Sequence, residues 1–234
     1  MAYRFDFAPA EYVVQRAWNT VYQQLGDAGR APFIAEAGSR VSPLYSNTFG
    51  VSLAVISADG YLLLVRRGLQ TAVSAGKFAS GCAEGMDDRD LHADTGHPDP
   101  YLTAYRGLSE ELGLRLDPAA DVVKITSLVL RTDSYEWGML GMADLRQLTT
   151  ESWTRAHIQE LWSNAKGRDK YEIGSLKFIP FAPGPVAGFL GAHRDEIEPY
   201  ALVATIYALL SCFPRRAVIA ALEAASSTHT DQSA

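Results

Sequence analysis

Two apolar runs of strand length, Phe49 to Ser57 and Tyr61 to Arg67, stand on either side of Asp59-Gly60. Asp-Gly between apolar runs predicts a β-hairpin. Upstream, Val13, Val14, Ala17, Trp18, Val21 and Leu25 fall on one face at helical spacing, which predicts a helix over 10–26. Gly26 and Gly29 punctuate its end, and Phe33 to Asn47 reads as an irregular connection. Residues 68–87 read mostly as loop, and 88–98 as an exposed polar loop rich in aspartate and histidine. Asp99 then offers an N-cap and Pro100 a first helical residue, for a helix running to Leu112. Ala104, Leu108 and Leu112 share its buried side, while Gly107, Glu110 and Glu111 cluster on the side adjacent. Gly113 suits the left-handed position that ends a helix.

Farther along, Asp121 to Leu130 and Trp137 to Leu145 predict a second strand pair around a turn at Thr132 to Glu136. Thr150 to Asn164 reads as a helix, Ala165 to Lys170 as a loop and Leu176 to Pro180 as a last core strand. Pro183-Gly184-Pro185 reads as a turn, with C-terminal helices over 196–211 and 215–225. Strands alternating with helices place the chain in the α/β class, a mixed sheet between helical layers. The expected organisation is an N-terminal helical extension over 1–45 packed on a core of 46–182. A C-terminal helical segment follows over 183–225, with a frayed, disordered tail at 226–234.

Composition narrows the partners. At 234 residues and 47% hydrophobic, the chain can bury a sizeable core. A net charge of −6 opposes broad attraction to DNA or RNA, but not the binding of a small anionic nucleotide through metal ions. Cys82 and Cys212 form neither a zinc pattern nor a disulfide framework, which points to the reducing cytosol and a cytoplasmic protein. Acidic and aromatic residues interrupt Met1-Ala2-Tyr3-Arg4-Phe5-Asp6, so it does not read as a secretory signal. No apolar run reaches the ~18–20 residues that cross a membrane, and the richest, Tyr200 to Phe213, reads as a core helix. The N-terminal helix can pack on its own core or exchange with a second copy in a homodimer.

The chemistry concentrates in Arg106-Gly107-Leu108-Ser109-Glu110-Glu111-Leu112-Gly113-Leu114, with the turn-rich Ser80-Gly81-Cys82-Ala83-Glu84-Gly85-Met86-Asp87 upstream. Adjacent carboxylates on a helix beside a glycine-rich loop can hold Mg²⁺, or Mn²⁺, against a diphosphate. The plainer alternatives are a solvated glutamate pair and a surface pair between Arg106 and Glu110, worth roughly a few tenths of a kcal/mol.

These residues resemble a Nudix box, G-x5-E-x7-R-E-U-x-E-E-x-G-U, where U is a bulky aliphatic residue. Gly81 matches the first glycine and Asp87 stands at the first acidic position. Arg106, Leu108, Glu110, Glu111, Gly113 and Leu114 match the second half. The resemblance extends over roughly 46–182. It departs from the pattern in three places: Gly107 for a glutamate, Asp87 for a glutamate, and the 18 residues 88–105 where the pattern has seven.

The resemblance implies a Nudix-type α/β/α sandwich. It also implies a Mg²⁺-dependent hydrolase cutting a diphosphate bond in a nucleoside diphosphate derivative: a nucleotide sugar, a dinucleotide or a nucleoside triphosphate. Glu110 and Glu111 would be metal ligands, joined by the Ser80 carbonyl, with Arg106 orienting the carboxylates. Asp87, Glu84 and Glu172 are the candidates to supply the acid that Gly107 lacks. Tyr135 and Trp137 lie near a strand turn, where they either stack on a base or serve only packing. With Glu172 they are the expected substrate-binding residues. The isomerase branch of the fold uses a cysteine acid/base, but its motif does not surround Cys82, which reads as a small buried residue.

Gly107 also motivates a second class of function, a nucleotide-binding sensor that kept the fold and lost the chemistry. A DNA-reading winged helix is opposed by the C-terminal segment, whose one basic cluster is Arg215-Arg216.

Overall fold

The computed structural model describes residues 12–36, 49–71, 74–148, 153–164 and 172–230. Among these, seven strands form one mixed sheet. β1 (Phe49–Ile56) and β2 (Tyr61–Arg67) make the hairpin announced by Asp59-Gly60. β1 and β2 pair only near the turn, at Val55 with Leu63 and Ile56 with Leu62. Beyond it they part. β2 continues against β3 (Phe78–Ser80) and β7 (Ile173–Pro180), and β1 against β4 (Cys82–Gly85) and β6 (Glu136–Asp144). β6 also pairs with β5 (Val123–Arg131). The β1–β6 pairing is parallel and the other pairings are antiparallel.

The fork in the hairpin explains Gly81. The chain crosses there from β3 on one arm to β4 on the other. A Cβ at position 81 would stand 2.8 Å from Val55 Cγ2 and 2.9 Å from the Leu63 carbonyl oxygen. Only a residue without a side chain fits so close an approach of main chain to main chain. Residues 78–85 thus form two short strands rather than the loop expected over 68–87. Strands of three and four residues are too short to carry a periodic signal.

Strand alternation sends side chains to two cores. Val51, Leu53, Val55, Leu63 and Val65 face one side, with Ala104, Leu108, Leu112 and Ile158. Those partners come from α3 (Pro100–Gly107), from the wide π turn Leu108–Leu112 that continues it, and from α4 (Arg155–Asn164). Ala54, Ile56, Leu62 and Leu64 face the other side, against Val186, Leu190, Ala201, Leu209 and Val218. These lie on the C-terminal helices Pro183–Ala192, Pro199–Cys212 and Arg215–Thr230. Helices on both faces of a mixed sheet make the α/β/α sandwich expected from the sequence. None of the described helices is long and apolar enough to cross a membrane.

The helix at 100–112 forms as the pattern requires. The Asp99 side chain accepts from the Tyr101 amide at 2.8 Å, Pro100 takes the first position, and Gly113 closes the helix at φ 78°. Several expectations need correction. Pro183-Gly184-Pro185 opens a helix, because first-turn residues need no amide partner within the helix. The last helix continues to Thr230, through part of the segment expected to fray; 231–234 lie outside the described residues.

α1 (Tyr12–Gln24) matches the N-terminal helix, but α2 (Gly26–Glu36) extends into the stretch read as irregular. The rest of that stretch, 37–47, and the loop Ala165 to Lys170 lie outside the described residues, as does Thr150 at the expected start of α4. The stripe on α1 divides: Val14 and Val21 are each 51% exposed, while Trp18 packs inward beside the buried Tyr22 and Asn19. An aromatic group of Trp18, Tyr22, Phe33 and Tyr135 outweighs the aliphatic stripe by packing α1 and α2 onto the β5–β6 turn.

Candidate functional site

The site is built where β4, the loop after it and α3 converge, and Arg106 is its hub. Its guanidinium grips Asp90 in a fork, Nε to Oδ1 at 2.9 Å and Nη2 to Oδ2 at 2.7 Å. It also donates to the Gly85 carbonyl oxygen at 2.5 Å, and meets Glu84 at 3.0 Å and Glu110 at 3.3 Å. The Asp90 hydrogen bond, chief among these, pushes the arginine pKa up, so it stays charged.

Asp90 is nearly inaccessible, although the sequence placed it in a solvated loop. Burial acts to raise its carboxyl. Hydrogen bonds from Arg106, from the Asp87 amide at 3.1 Å and from Thr103 at 2.9 Å prevail and hold it below the usual range. Sequence reasoning missed this residue. The one available signal was an arginine on the helix beyond, and spacing along the chain does not reveal which loop acid it takes.

Glu111 is half-buried, and its oxygens accept from the Ala83 amide at 3.2 and 3.4 Å. Burial drives its carboxyl well above the ordinary range. The Glu84 charge adds to this, against the Ala83 hydrogen bond, and Glu172 pushes the same way. Burial likewise raises Glu84, against Arg106, with Glu110 adding to the rise. Burial and mutual repulsion of Glu84 and Glu111 therefore favour a proton, or a cation, on that side of Arg106.

The other expected residues separate from this pair. Glu110 is more exposed and lies between Arg89 at 3.0 Å and Arg106 at 3.3 Å. Asp87 is turned onto Arg89, whose hydrogen bonds hold its carboxyl low. The Ser80 hydroxyl is buried and accepts from Ser52 at 2.6 Å. Tyr135 is 4% exposed within the aromatic group under α1, so its ring serves packing and does not line the cleft. Cys82 is buried, which pushes its thiol well up and leaves it unreactive.

A cleft of about 260 Å³ opens beside the site. Ala83, Glu84 and Gly85 form one wall, Trp137 and Tyr200 give it aromatic surface, and Arg16 and Arg67 supply positive charge. Arg16 comes from α1, so the N-terminal extension helps shape the cleft.

Among the described residues, no three His, Cys, Asp or Glu side chains stand grouped as a metal cage, in keeping with Asp87 and Glu110 facing arginines. The donors present still fit a hard divalent cation. Mg²⁺ takes one or two carboxylates and completes its shell with water and phosphate oxygens. Glu111 is a half-buried carboxylate whose neighbours press negative charge on it, a surplus that a cation would relieve.

No family model matches the chain, and no curated protein matches its sequence. Several solved structures resemble it. A bifunctional NMN adenylyltransferase/ADP ribose pyrophosphatase from Francisella tularensis is 15% identical, with a TM-score of 0.48 over 84% of this chain and 47% of that one. A NUDIX hydrolase from Alicyclobacillus acidocaldarius is 14% identical, with a TM-score of 0.45 over 71% of this chain and 92% of that one. A MutT/nudix family protein from Enterococcus faecalis is 13% identical, with a TM-score of 0.34 over 59% and 50%. This chain thus spans about half the length of the Francisella and Enterococcus proteins. Likeness of this degree speaks to neither substrate nor catalysis.

Proposed function

We propose that the protein is a Mg²⁺-dependent hydrolase that cuts a diphosphate bond in a small nucleoside diphosphate derivative. The observation that carries this reading is the half-buried Glu111 carboxylate, fixed by the amide of Ala83, a wall residue of the cleft whose lining includes Arg16, Arg67 and Trp137. Glu84, Glu136 and Glu198 line the same cleft, so an anion with an aromatic end would enter it accompanied by its cation. Arg16 and Arg67 draw the phosphate charge in, and Trp137 gives a base a surface to stack on.

Glu111 and Glu110 hold the cation on this reading, with the Ser80 carbonyl assigned to the same ion by the box pattern. Bound Mg²⁺ would neutralise the diphosphate oxygens and acidify a water for attack on phosphorus. Arg106 is a positioning residue that sets Glu84 and Glu110 against Asp90. Arg89 competes with the cation for Glu110. Glu172, whose carbonyl accepts from the Gly68 amide at 2.9 Å, is kept as an outer candidate for binding substrate.

The test is turnover by the full chain, with Mg²⁺ or Mn²⁺, of nucleotide sugars, dinucleotides and nucleoside triphosphates, with products resolved by chromatography. Glu111→Gln is expected to lower kcat by at least about tenfold. Ligand binding without products, or turnover unchanged in Glu111→Gln, would sink the reading.

A further inference from the structure

We propose that Glu84 supplies the metal-facing carboxylate that position 107 does not carry. The inference rests on the hydrolase reading and assigns a residue within it.

Gly107 is buried where α3 comes down on β4. A Cβ built there would stand 2.6 Å from Glu84 Cβ, 2.8 Å from Cys82 Sγ and 3.1 Å from Glu84 Cγ. The Glu84 stem therefore fills the space into which a side chain at 107 would leave the helix. The strand register explains why. Glu84 pairs with Val51 and Cys82 with Leu53, so both share the sheet face that α3 covers. Cys82 fills the floor under Gly107, and Glu84 passes over its rim.

The position of the Glu84 carboxylate fits the same role. Arg106 Nη1 at 3.0 Å and the Gly85 amide at 3.1 Å both engage its Oε1, so a cation would be met by Oε2, with 22% of the side chain exposed. Glu84 also lines the cleft, beside the Ala83 whose amide fixes Glu111. It is thus one residue along the strand from the amide that holds Glu111, and on the wall of the cleft. The acid has moved from helix to strand, and the glycine makes room for it.

Reinstating the familiar acid alone should then fail. Gly107→Glu collides with Glu84 and Cys82, so it should lower the melting temperature and give no gain in metal affinity. The direct test follows Mn²⁺ binding to the full chain by electron paramagnetic resonance, with folding checked by circular dichroism.

Glu84→Gln keeps the shape and should weaken Mn²⁺ binding about 10–100-fold. Glu84→Gly should weaken it likewise. The triple variant Cys82→Ala/Glu84→Gly/Gly107→Glu, which clears both contacts, should bind Mn²⁺ more tightly than Cys82→Ala/Glu84→Gly. A folded Glu84→Gln that binds Mn²⁺ like the parent overturns the proposal and leaves the hydrolase reading standing. A folded triple variant no better than Cys82→Ala/Glu84→Gly overturns it as well. A parent chain that binds no Mn²⁺ overturns both.

Discussion

The bond between Asp90 and Arg106 is where a single atom pair matters most. Asp90 is 1% exposed, and its oxygens satisfy Arg106, Thr103 and the Asp87 amide together. Removing one member of a buried, hydrogen-bonded pair strands the other charge and costs about 3–5 kcal/mol. Asp90→Ala should fall near the lower end of that range, because Glu84 and Glu110 still attend Arg106. Urea unfolding of the variant and its parent measures it. A loss under about 0.5 kcal/mol, the size of an ordinary surface change, would show that the fork is dispensable. None of this was visible along the chain. Asp90 sits among Asp88, Asp94 and the histidines of a polar stretch, and only the return of α3 over that stretch takes one acid out of water.

Elements were legible wherever their signal was local. The Asp59-Gly60 turn, the Asp99 cap with Pro100, and Gly113 each act within a few residues, and each formed as the chain reads. β3 and β4 were not legible. Residues 78–85, mostly small, become two strands only because the parting arms of the β1–β2 hairpin give them edges to pair with. Gly81 is the crossing point, and Gly81→Ala should cost about 1–3 kcal/mol by overpacking against Val55 and the Leu63 carbonyl. A melting temperature unchanged from the parent would contradict the fork geometry. The same crossing sets Ala83 and Glu84 against the end of α3, so this variant should also weaken Mn²⁺ binding.

Across the whole molecule, acid should act through the paired aspartates. Asp144, at the end of β6, accepts from Arg146 Nε and Nη2 at 2.8 Å each, and Arg146 covers the Phe181 ring. Burial acts to raise the Asp144 carboxyl, but the Arg146 bonds and charge prevail and hold it low. A carboxyl held lower in the folded state than in the unfolded chain stabilises above its ordinary value of about 4. That contribution is lost as pH falls through the lower, folded-state value. Asp144→Asn should therefore cost about 1.5–3 kcal/mol at pH 7 and progressively less below pH 4. Thermal melts across that range test it, and a cost independent of pH would refute the assignment.

The sequence by itself determined the hairpin, the capped helix, the α/β alternation and the carboxylate pair at 110 and 111, because period and cap chemistry act between near neighbours. Tertiary structure alone decided which acids meet. Packing across the sheet buried Asp90, turned Asp87 and Glu110 onto arginines and brought Glu84 over Gly107. It also hid Tyr135 while leaving Trp137 on the cleft. Charge and burial at a site are set by groups distant in sequence, and folding is the step that makes them neighbours.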